Sequence, residues 1–598
     1  MKRIIASLAV ALICFSALSV PAKRGLVKFT QPDGTVIFLQ KHGDEFCHWV
    51  TDSSGQVVEK GSDGFWRPAG DSSMLSRRRA AAIAKRSARN RSYRAGQHVA
   101  LGQKRFLVIL VEFQDVQFAS GTVRQDFHDM MNQSGYSANG ATGSAKDYYY
   151  DNSHGLFEPV FDVYGPVKLD NNVAYYGGND SSGDDLRPEQ AVKQACQKLD
   201  EQIDFSHYDN DNDGEVDLVF MYYAGFGEAD YGDEDTIWPH QWELSYGGAS
   251  INLDGKKVDK YACTNELVKD AADNDCMCGV GTSCHEFGHA MGLPDFYDVD
   301  YDTNGYCMAM FDYSIMCGGS YNNGGKTPPY FTIEERILLG WLDESALREF
   351  TGSGQLTLTS VDDNVAYFTR TDQDGEYFVY ECRGQNGWDA HLPAFGLVVT
   401  HVDKSSRTVT ISGKSYTAKS LWDNWTSSNS LNASGSHPCC YVVPAAGQTD
   451  LKFGYMYFPE YEGYYFNSSY NPKIPFPGSS KVSDYSAVSW NGVTSDVSLS
   501  GISYANNQVS FYVKVLSDDI DYNVIDNPGN GVYTAGDNFE LKLIGSETSP
   551  ASSVAWYFDD EPVSGPSVRL RAGNHTVEAV VTLGSGETRT VTLEITVQ

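Results

Sequence analysis

The segment His285-Glu-Phe-Gly-His289, followed by Gly292 and then by Pro294-Asp295, constrains this chain more than any other stretch. Residues four apart on an α-helix share a face, so His285 and His289 present two imidazoles to one point. A glycine three residues later ends such a helix by adopting positive φ, and a proline just beyond prevents it from resuming. The pattern therefore predicts a helix, a sharp turn and a returning loop that carries Asp295 back toward the two histidines. Two imidazoles and a carboxylate suit a zinc ion whose fourth position stays open to water. Glu286, between the histidines, is the expected general base for that water. A structural helix with two surface histidines is the plainer reading of five residues, and the glycine, proline and aspartate that follow weigh against it.

The third ligand is open at this level. Asp295 comes first, and Asp298, Glu334 and Glu335 are the alternatives. Met316, 21 residues after Asp295, stands where Ser314-Ile315-Met316 would form a methionine turn beneath the metal. The spacing matches the long metzincin motif, with aspartate in place of the usual third histidine. Tyr313 and Tyr321 flank that turn, and either hydroxyl is placed to donate to an oxyanion, although ordinary packing explains most tyrosines in a chain with 37 of them.

A chain of 598 residues exceeds one ordinary domain. The expected class is multidomain α+β in five parts. Residues 1–22 read as a signal peptide, with Lys2 and Arg3 ahead of an apolar run and small residues at Ser19–Ala22. Residues 23–103 read as a β-rich prosegment ending in a basic processing linker, since residues 72–100 hold Arg77-Arg78-Arg79, Lys85-Arg86, Arg89, Arg91 and Arg94 without an acidic residue. Exposed linkers of this kind are where nicking occurs, which calls for an activating protease that cuts after Arg or Lys. Residues 104–348 read as a metzincin-like α/β zinc catalytic domain, with buried strands at Phe106–Phe113 and Leu218–Tyr223 and a helix at Glu189–Leu199. Residues 349–516 are strand-rich. Residues 517–598, with alternation over His575–Thr582 and Arg589–Thr596, read as an immunoglobulin-like β-sandwich. No later run is long and apolar enough to span a membrane. The expectation is a secreted or cell-surface-associated monomer.

The net charge is −33; residues 1–103, with 16 Lys/Arg against 7 Asp/Glu, carry +9, which leaves −42 for the remainder. A basic segment lying on an acidic body is electrostatically sensible, and the acidic body argues against nucleic acid as a partner. Asp209, Asp211, Asp213 and Asp217 occupy positions 1, 3, 5 and 9 of an EF-hand-type loop with Gly214 at its turn, so calcium is expected there. Phe220 stands where the closing glutamate would be, and an Asp-rich turn without metal is the alternative. Asp298, Asp300, Asp302 and Asn304 form a second such cluster. Of the 12 cysteines, Cys276, Cys278, Cys284, Cys307 and Cys317 surround the histidine motif, and a disulfide among them is compatible with export. Cys47 and Asp44 are candidates for masking the metal, although a buried cysteine is the commoner outcome.

The stretch from His285 to Asp298 resembles the immune inhibitor A family of secreted metallopeptidases. Asp211–Asp217, Phe311–Gly319, Ile337–Leu342, Tyr377–Arg383 with Asp389–Asp403, and the early Phe29–Gly34 and Gly43–Phe46 extend the likeness over about 29–480. The resemblance implies a zinc endopeptidase acting on proteins or peptides, stabilised by calcium and made as a zymogen. The Cys-rich loop 276–284 departs from the family pattern. A competing reading is a surface adhesin or glycan- or protein-binding protein with a vestigial zinc site, which the intact Glu286 disfavours.

Overall fold

The computed structural model describes residues 20–70, 75, 77–79, 100–121, 123–180, 183–299, 307, 309–411, 413–424, 429–445, 455–458, 463–466, 473–515, 525–527, 532–543, 553–582 and 588–598. Residues 1–19 of the expected signal peptide, most of the basic linker and the second Asp-rich cluster from residue 300 on lie outside the described residues.

Five antiparallel strands form an N-terminal meander: β1 Leu26–Thr30, β2 Val36–Asp44, β3 Cys47–Asp52, β4 Val57–Lys60 and β5 Trp66–Pro68. This unit lies on an acidic surface. Lys28 pairs with Asp273 at 2.7 Å, Lys60 with Asp233 at 2.6 Å, and His48 with Glu228 at 3.0 Å. The buried Lys41 ammonium donates to the carbonyls of Glu228 and Gly232.

The central sheet holds β6 Gly102–Glu112, β7 Phe157–Lys168, β8 Val219–Phe226, β9 His240–Glu243, β12 Lys260–Lys269 and β13 Asp275–Met277, in the order β13-β12-β8-β6-β7 with β9 on the start of β12; the short hairpin β10 Ile251–Leu253 and β11 Lys256–Val258 stands apart. β12, β8, β6 and β7 run parallel, and β13 and β9 are antiparallel to β12. Strand side chains alternate between faces, and both faces of β6 are covered. Leu107, Ile109 and Val111 meet the helix Pro188–Leu199, while Phe106, Val108 and Leu110 face the helices Val123–Asn132 and Gly281–Ala290.

Beyond residue 348 a five-stranded and a four-stranded sheet enclose a core of Phe378, Tyr380, Val399 and Phe511. The opposite face of the five-stranded sheet, with Tyr377, Val379, Val398 and Val402, joins the same core as Phe287 and Met316 of the central unit. The packing is thus continuous across the expected boundary at 348/349. A further five-stranded sheet with a two-stranded ribbon closes the chain around Phe539, Val577, Ala579 and Ile595. Among the described residues no helix is long and apolar enough to cross a membrane.

Candidate metal centre

His285, Glu286 and His289 lie on the helix Gly281–Ala290 and are fully buried. The helix ends as the glycine signal requires: Gly292 has φ 103°, and the Leu293 N–H donates to the Gly288 carbonyl at 2.9 Å. The returning loop brings Asp295 to the histidines. His285 Nε2 and His289 Nε2 are 3.0 Å apart, and Asp295 Oδ1 is 3.4 Å from the first and 3.3 Å from the second. All three ligand atoms fall within 4.8 Å of one another.

Each ligand is held from behind. His285 Nδ1 donates to the Ile315 carbonyl at 2.7 Å and His289 Nδ1 to the Leu293 carbonyl at 2.8 Å, which leaves both Nε2 atoms facing Asp295. Asp295 Oδ2 accepts from Asn429 Nδ2 at 2.7 Å, while Oδ1 is buried with no hydrogen-bond partner. A buried carboxylate oxygen without a donor, aimed at two imidazole nitrogens, is what a bound cation satisfies. The residues present therefore fit zinc. Burial works against ionising Asp295, but the two imidazoles overcome it and hold its carboxyl well below the usual range. Burial, only partly offset by Asp295, pushes His289 down toward the neutral form that ligates metals.

Met316 lies under the helix. A Cβ on Gly288 would sit 2.8 Å from Met316 Sδ, so glycine there allows the close approach. The turn is tied down by Ser314, whose hydroxyl donates to Glu335 Oε1 at 2.5 Å and accepts the Met316 N–H at 3.0 Å. That contact and the capping box with Thr332 use up the Glu335 carboxylate. Glu334 is bound by the Tyr377 hydroxyl at 2.8 Å and by Lys404 at 3.1 Å. Neither glutamate, nor Asp298, joins the three-ligand cluster.

The N-terminal segment enters the same cleft. The Val20 N–H donates to Glu286 Oε1 at 3.0 Å, Trp238 Nε1 donates to the Val20 carbonyl at 3.3 Å, and the Tyr321 hydroxyl donates to the Pro21 carbonyl at 2.9 Å. Arg24 pairs with Asp312. Burial, then the nearby Glu45 and Asp295 carboxylates, raise the Glu286 carboxyl well above its ordinary value, against the pull of the Val20 N–H. The β2–β3 turn thus brings Glu45 toward Glu286. Cys47 instead packs with Phe46 near Trp49 and Trp242, and Asp44 Oδ1 accepts the Phe46 and Cys47 N–H groups. Tyr313 is spent on the Ala394 carbonyl at 3.2 Å, which leaves Tyr321 as the hydroxyl in the cleft.

At the Asp-rich loop, Asp209, Asp211 and Asp217 bring their oxygens within 4.8 Å of one another. Asp213 is not part of that cluster; its Oδ1 accepts the Glu215 N–H at 2.8 Å. Lys256 pairs with Asp209 at 2.6 Å. Among the described residues near the motif, Cys276, Cys278, Cys284 and Cys307 form no disulfide with one another, so the cross-link that export would allow is not seen there. The sequence reading missed Val20, Glu45, Trp238 and Asn429. Only Glu45, at the tip of a legible hairpin, carried a signal.

Residues 95–332 match the family described as Immune inhibitor A peptidase M6, catalytic domain. The pre-pro-metalloprotease PrtV of Vibrio cholerae serotype O1 is 28% identical over 278 residues, 39% of this chain and 29% of that protein. Immune inhibitor A of Bacillus thuringiensis subsp. alesti is 28% identical over 214 residues, 32% of this chain and 31% of that protein. The chain thus spans less than a third of the length of these curated relatives. Among solved structures, wild-type OgpA from Akkermansia muciniphila aligns over 83% of this chain and 94% of its own at 10% identity and a TM-score of 0.20, too low to indicate a shared fold. The histidine helix, the returning aspartate and the methionine turn all lie inside the matched region, so residues 95–332 are similar to the catalytic domain of the immune inhibitor A peptidase M6 family.

Proposed function

We propose that this chain is a secreted zinc endopeptidase that cuts polypeptides and is made as a latent precursor. The observation that carries the reading is the convergence of His285 Nε2, His289 Nε2 and Asp295 Oδ1 beside the buried carboxylate of Glu286. His285, His289 and Asp295 would hold zinc, which when bound supplies Lewis acidity toward a water and a peptide carbonyl. Glu286 takes a proton from the water as its oxygen bonds to the carbonyl carbon, and passes it to the leaving nitrogen as the C–N bond breaks. Its raised proton affinity suits both transfers. Tyr321 donates to the substrate carbonyl from the position where it now holds Pro21.

Latency follows from occupancy of the cleft. While Val20 holds Glu286 and the meander covers the site, neither substrate nor base is free. We take the leader to end before Val20, three residues ahead of the junction expected from sequence, because Val20 to Ala22 are seated in the protein. Cleavage in the basic linker by an Arg/Lys-specific protease would release residues 20–70. Calcium at Asp209, Asp211 and Asp217 would brace the loop that leads into β8. The strand-rich unit and the C-terminal sandwich serve as appended domains.

The test is hydrolysis of unfolded casein by the zinc-loaded full chain before and after clipping with trypsin, the trypsin then being inhibited. Cutting only after clipping, and none by a clipped Glu286→Ala variant that still binds zinc, is the expected result. A clipped, folded, zinc-loaded wild type that leaves casein intact would remove the peptidase reading and favour a binding protein.

A further inference from the structure

Each of the three ligand side chains is held by an outer partner. For His285 and His289 it is a backbone carbonyl of the catalytic unit itself, at Ile315 and Leu293. For Asp295 it is a side chain 134 residues away, outside the region matched by the peptidase family. Asn429 clamps that residue twice: its Nδ2 donates to Asp295 Oδ2 at 2.7 Å, and its Oδ1 accepts the Asp295 N–H at 2.7 Å.

We infer that Asn429 is a positioning residue of the metal centre, fixing which oxygen of Asp295 faces the metal, so that the strand-rich unit completes the zinc site. A carboxylate can turn about its terminal torsion and offer either oxygen or both. The amide occupies Oδ2 and the backbone N–H together, which leaves Oδ1 alone, buried and partnerless, opposite the two Nε2 atoms. A neutral donor suits this place, since a lysine or arginine would compete with the metal for the same negative charge.

Asn429 is itself held. It is 5% exposed and has φ 42°, a left-handed conformation that asparagine tolerates better than most residues. Three residues on, Asn432 pins the loop in both directions: its Nδ2 donates to the Phe296 carbonyl at 3.0 Å and the Cys440 carbonyl at 2.8 Å, and its Oδ1 accepts the Cys440 N–H at 2.9 Å. The loop therefore grips the residue after Asp295 as well as Asp295. The strand Cys440–Val442 that anchors it belongs to the five-stranded sheet, whose inner face shares the core of the catalytic unit.

The inference rests on the zinc reading, and the experiment separates the two. Zinc dissociation constants of the full chain are measured by competition with a chelating dye, and the cobalt(II)-substituted protein is examined by its visible absorption. The variants are Asn429→Gly, which keeps the left-handed backbone and removes the amide, and Asn429→Asp, which keeps the shape but sets an acid against Asp295 Oδ2. Outer-shell losses of this kind cost about 10–100-fold in metal affinity. Both variants are expected to bind zinc at least about 10-fold more weakly, with an altered cobalt spectrum, while the melting temperature of the metal-free protein stays near that of the wild type. If Asn429→Gly unfolds, Asn429→Asp alone carries the test. Zinc affinity within about twofold of wild type and an unchanged cobalt spectrum in a folded variant overturn the inference. A wild type that binds no zinc at all overturns the zinc reading instead, and this inference with it.

Discussion

Removing the Asp389 carboxylate should strongly destabilise the junction between the catalytic and strand-rich units, because it strips a buried guanidinium of its counter-charge. Arg383 and Asp389 are both fully buried. Arg383 donates to Asp389 twice, through Nε and Nη2, each at 2.7 Å, and also to the Tyr313 and Tyr330 carbonyls, each at 3.0 Å. Asp389 Oδ1 in addition accepts the Tyr330 N–H at 3.0 Å. In Asp389→Ala the guanidinium remains buried without its main counter-charge, a situation that costs about 3–5 kcal/mol. Glu381, 3.7 Å from Arg383, supplies partial compensation. Burial, opposed by Arg383, raises its carboxyl to about 7, so at neutral pH it is only partly charged. The expected loss is therefore nearer ~3 kcal/mol, or about 150-fold in the folding equilibrium. Urea unfolding followed by tryptophan fluorescence measures it, because the buried Trp388 adjoins Asp389. The double variant Arg383→Met with Asp389→Leu removes the charge problem yet takes a partner from three backbone groups, at roughly 1–3 kcal/mol each. It should recover only part of the loss. A shift below about 1 kcal/mol for Asp389→Ala would refute the reasoning, since it would mean that water or Glu381 already neutralises the guanidinium.

Burial opposes protonation of His48, but Glu228 more than reverses it and raises the imidazole above 6.5. The grip of the N-terminal meander should then be fully present below that value and lost as pH rises through the folded-state pKa, with Arg78 and the Asn179 amide N–H that faces Nε2 opposing protonation. Limited proteolysis of residues 20–70 across pH 6 to 9 reads this, and a His48→Gln variant with the same pH response would exclude it. Gly288→Ala sets a Cβ 2.8 Å from Met316 Sδ. Overpacking costs about 1–3 kcal/mol against roughly 1 kcal/mol gained in helix propensity, so the single variant should bind zinc more weakly and Gly288→Ala with Met316→Ala should bind it better than the single; equal affinities would remove the methionine turn from the metal's support. Calcium added to the full chain after chelation and zinc reloading should raise its melting temperature, and Asp211→Asn should abolish the rise; no rise in the wild type would leave Lys256 as the permanent partner of Asp209.

Much of the scaffold was readable because its signals are local. The apolar run at Phe106–Phe113 falls on β6, the apolar run after Asp217 on β8, and the helix expected over Glu189–Leu199 spans Pro188–Leu199. The candidate metal ligands rest on equally local signals. His285, His289, Gly292 and Asp295 lie within eleven residues, and helix geometry plus one left-handed glycine fixes where they meet. Where local chemistry has two outlets, the sequence could not choose. Cys47 carries a metal-binding thiol, yet a strand position beside Phe46 sends it into an apolar cluster. Asp213 fits a calcium-loop position, yet the turn gives its carboxylate to the Glu215 N–H.

The rest was unreadable for a physical reason that also describes how the site is built. Val20 reaches Glu286 from 266 residues away and Asn429 reaches Asp295 from 134. No periodicity or spacing encodes a contact across such distances, because it exists only once separate units have packed. On the proposed reading, the centre has two kinds of parts. Ligands and base come from one short segment that would keep its local geometry in many contexts. The gate and the clamp come from units before and after it, and depend on ion pairs such as His48–Glu228 and on the shared core that seats the loop at Asn429. On that reading, a change in either outlying unit would alter access to the site or the hold on Asp295 without touching a residue of the histidine motif. The match to the peptidase family, confined to residues 95–332, covers the first kind of part and contains neither Val20 nor Asn429.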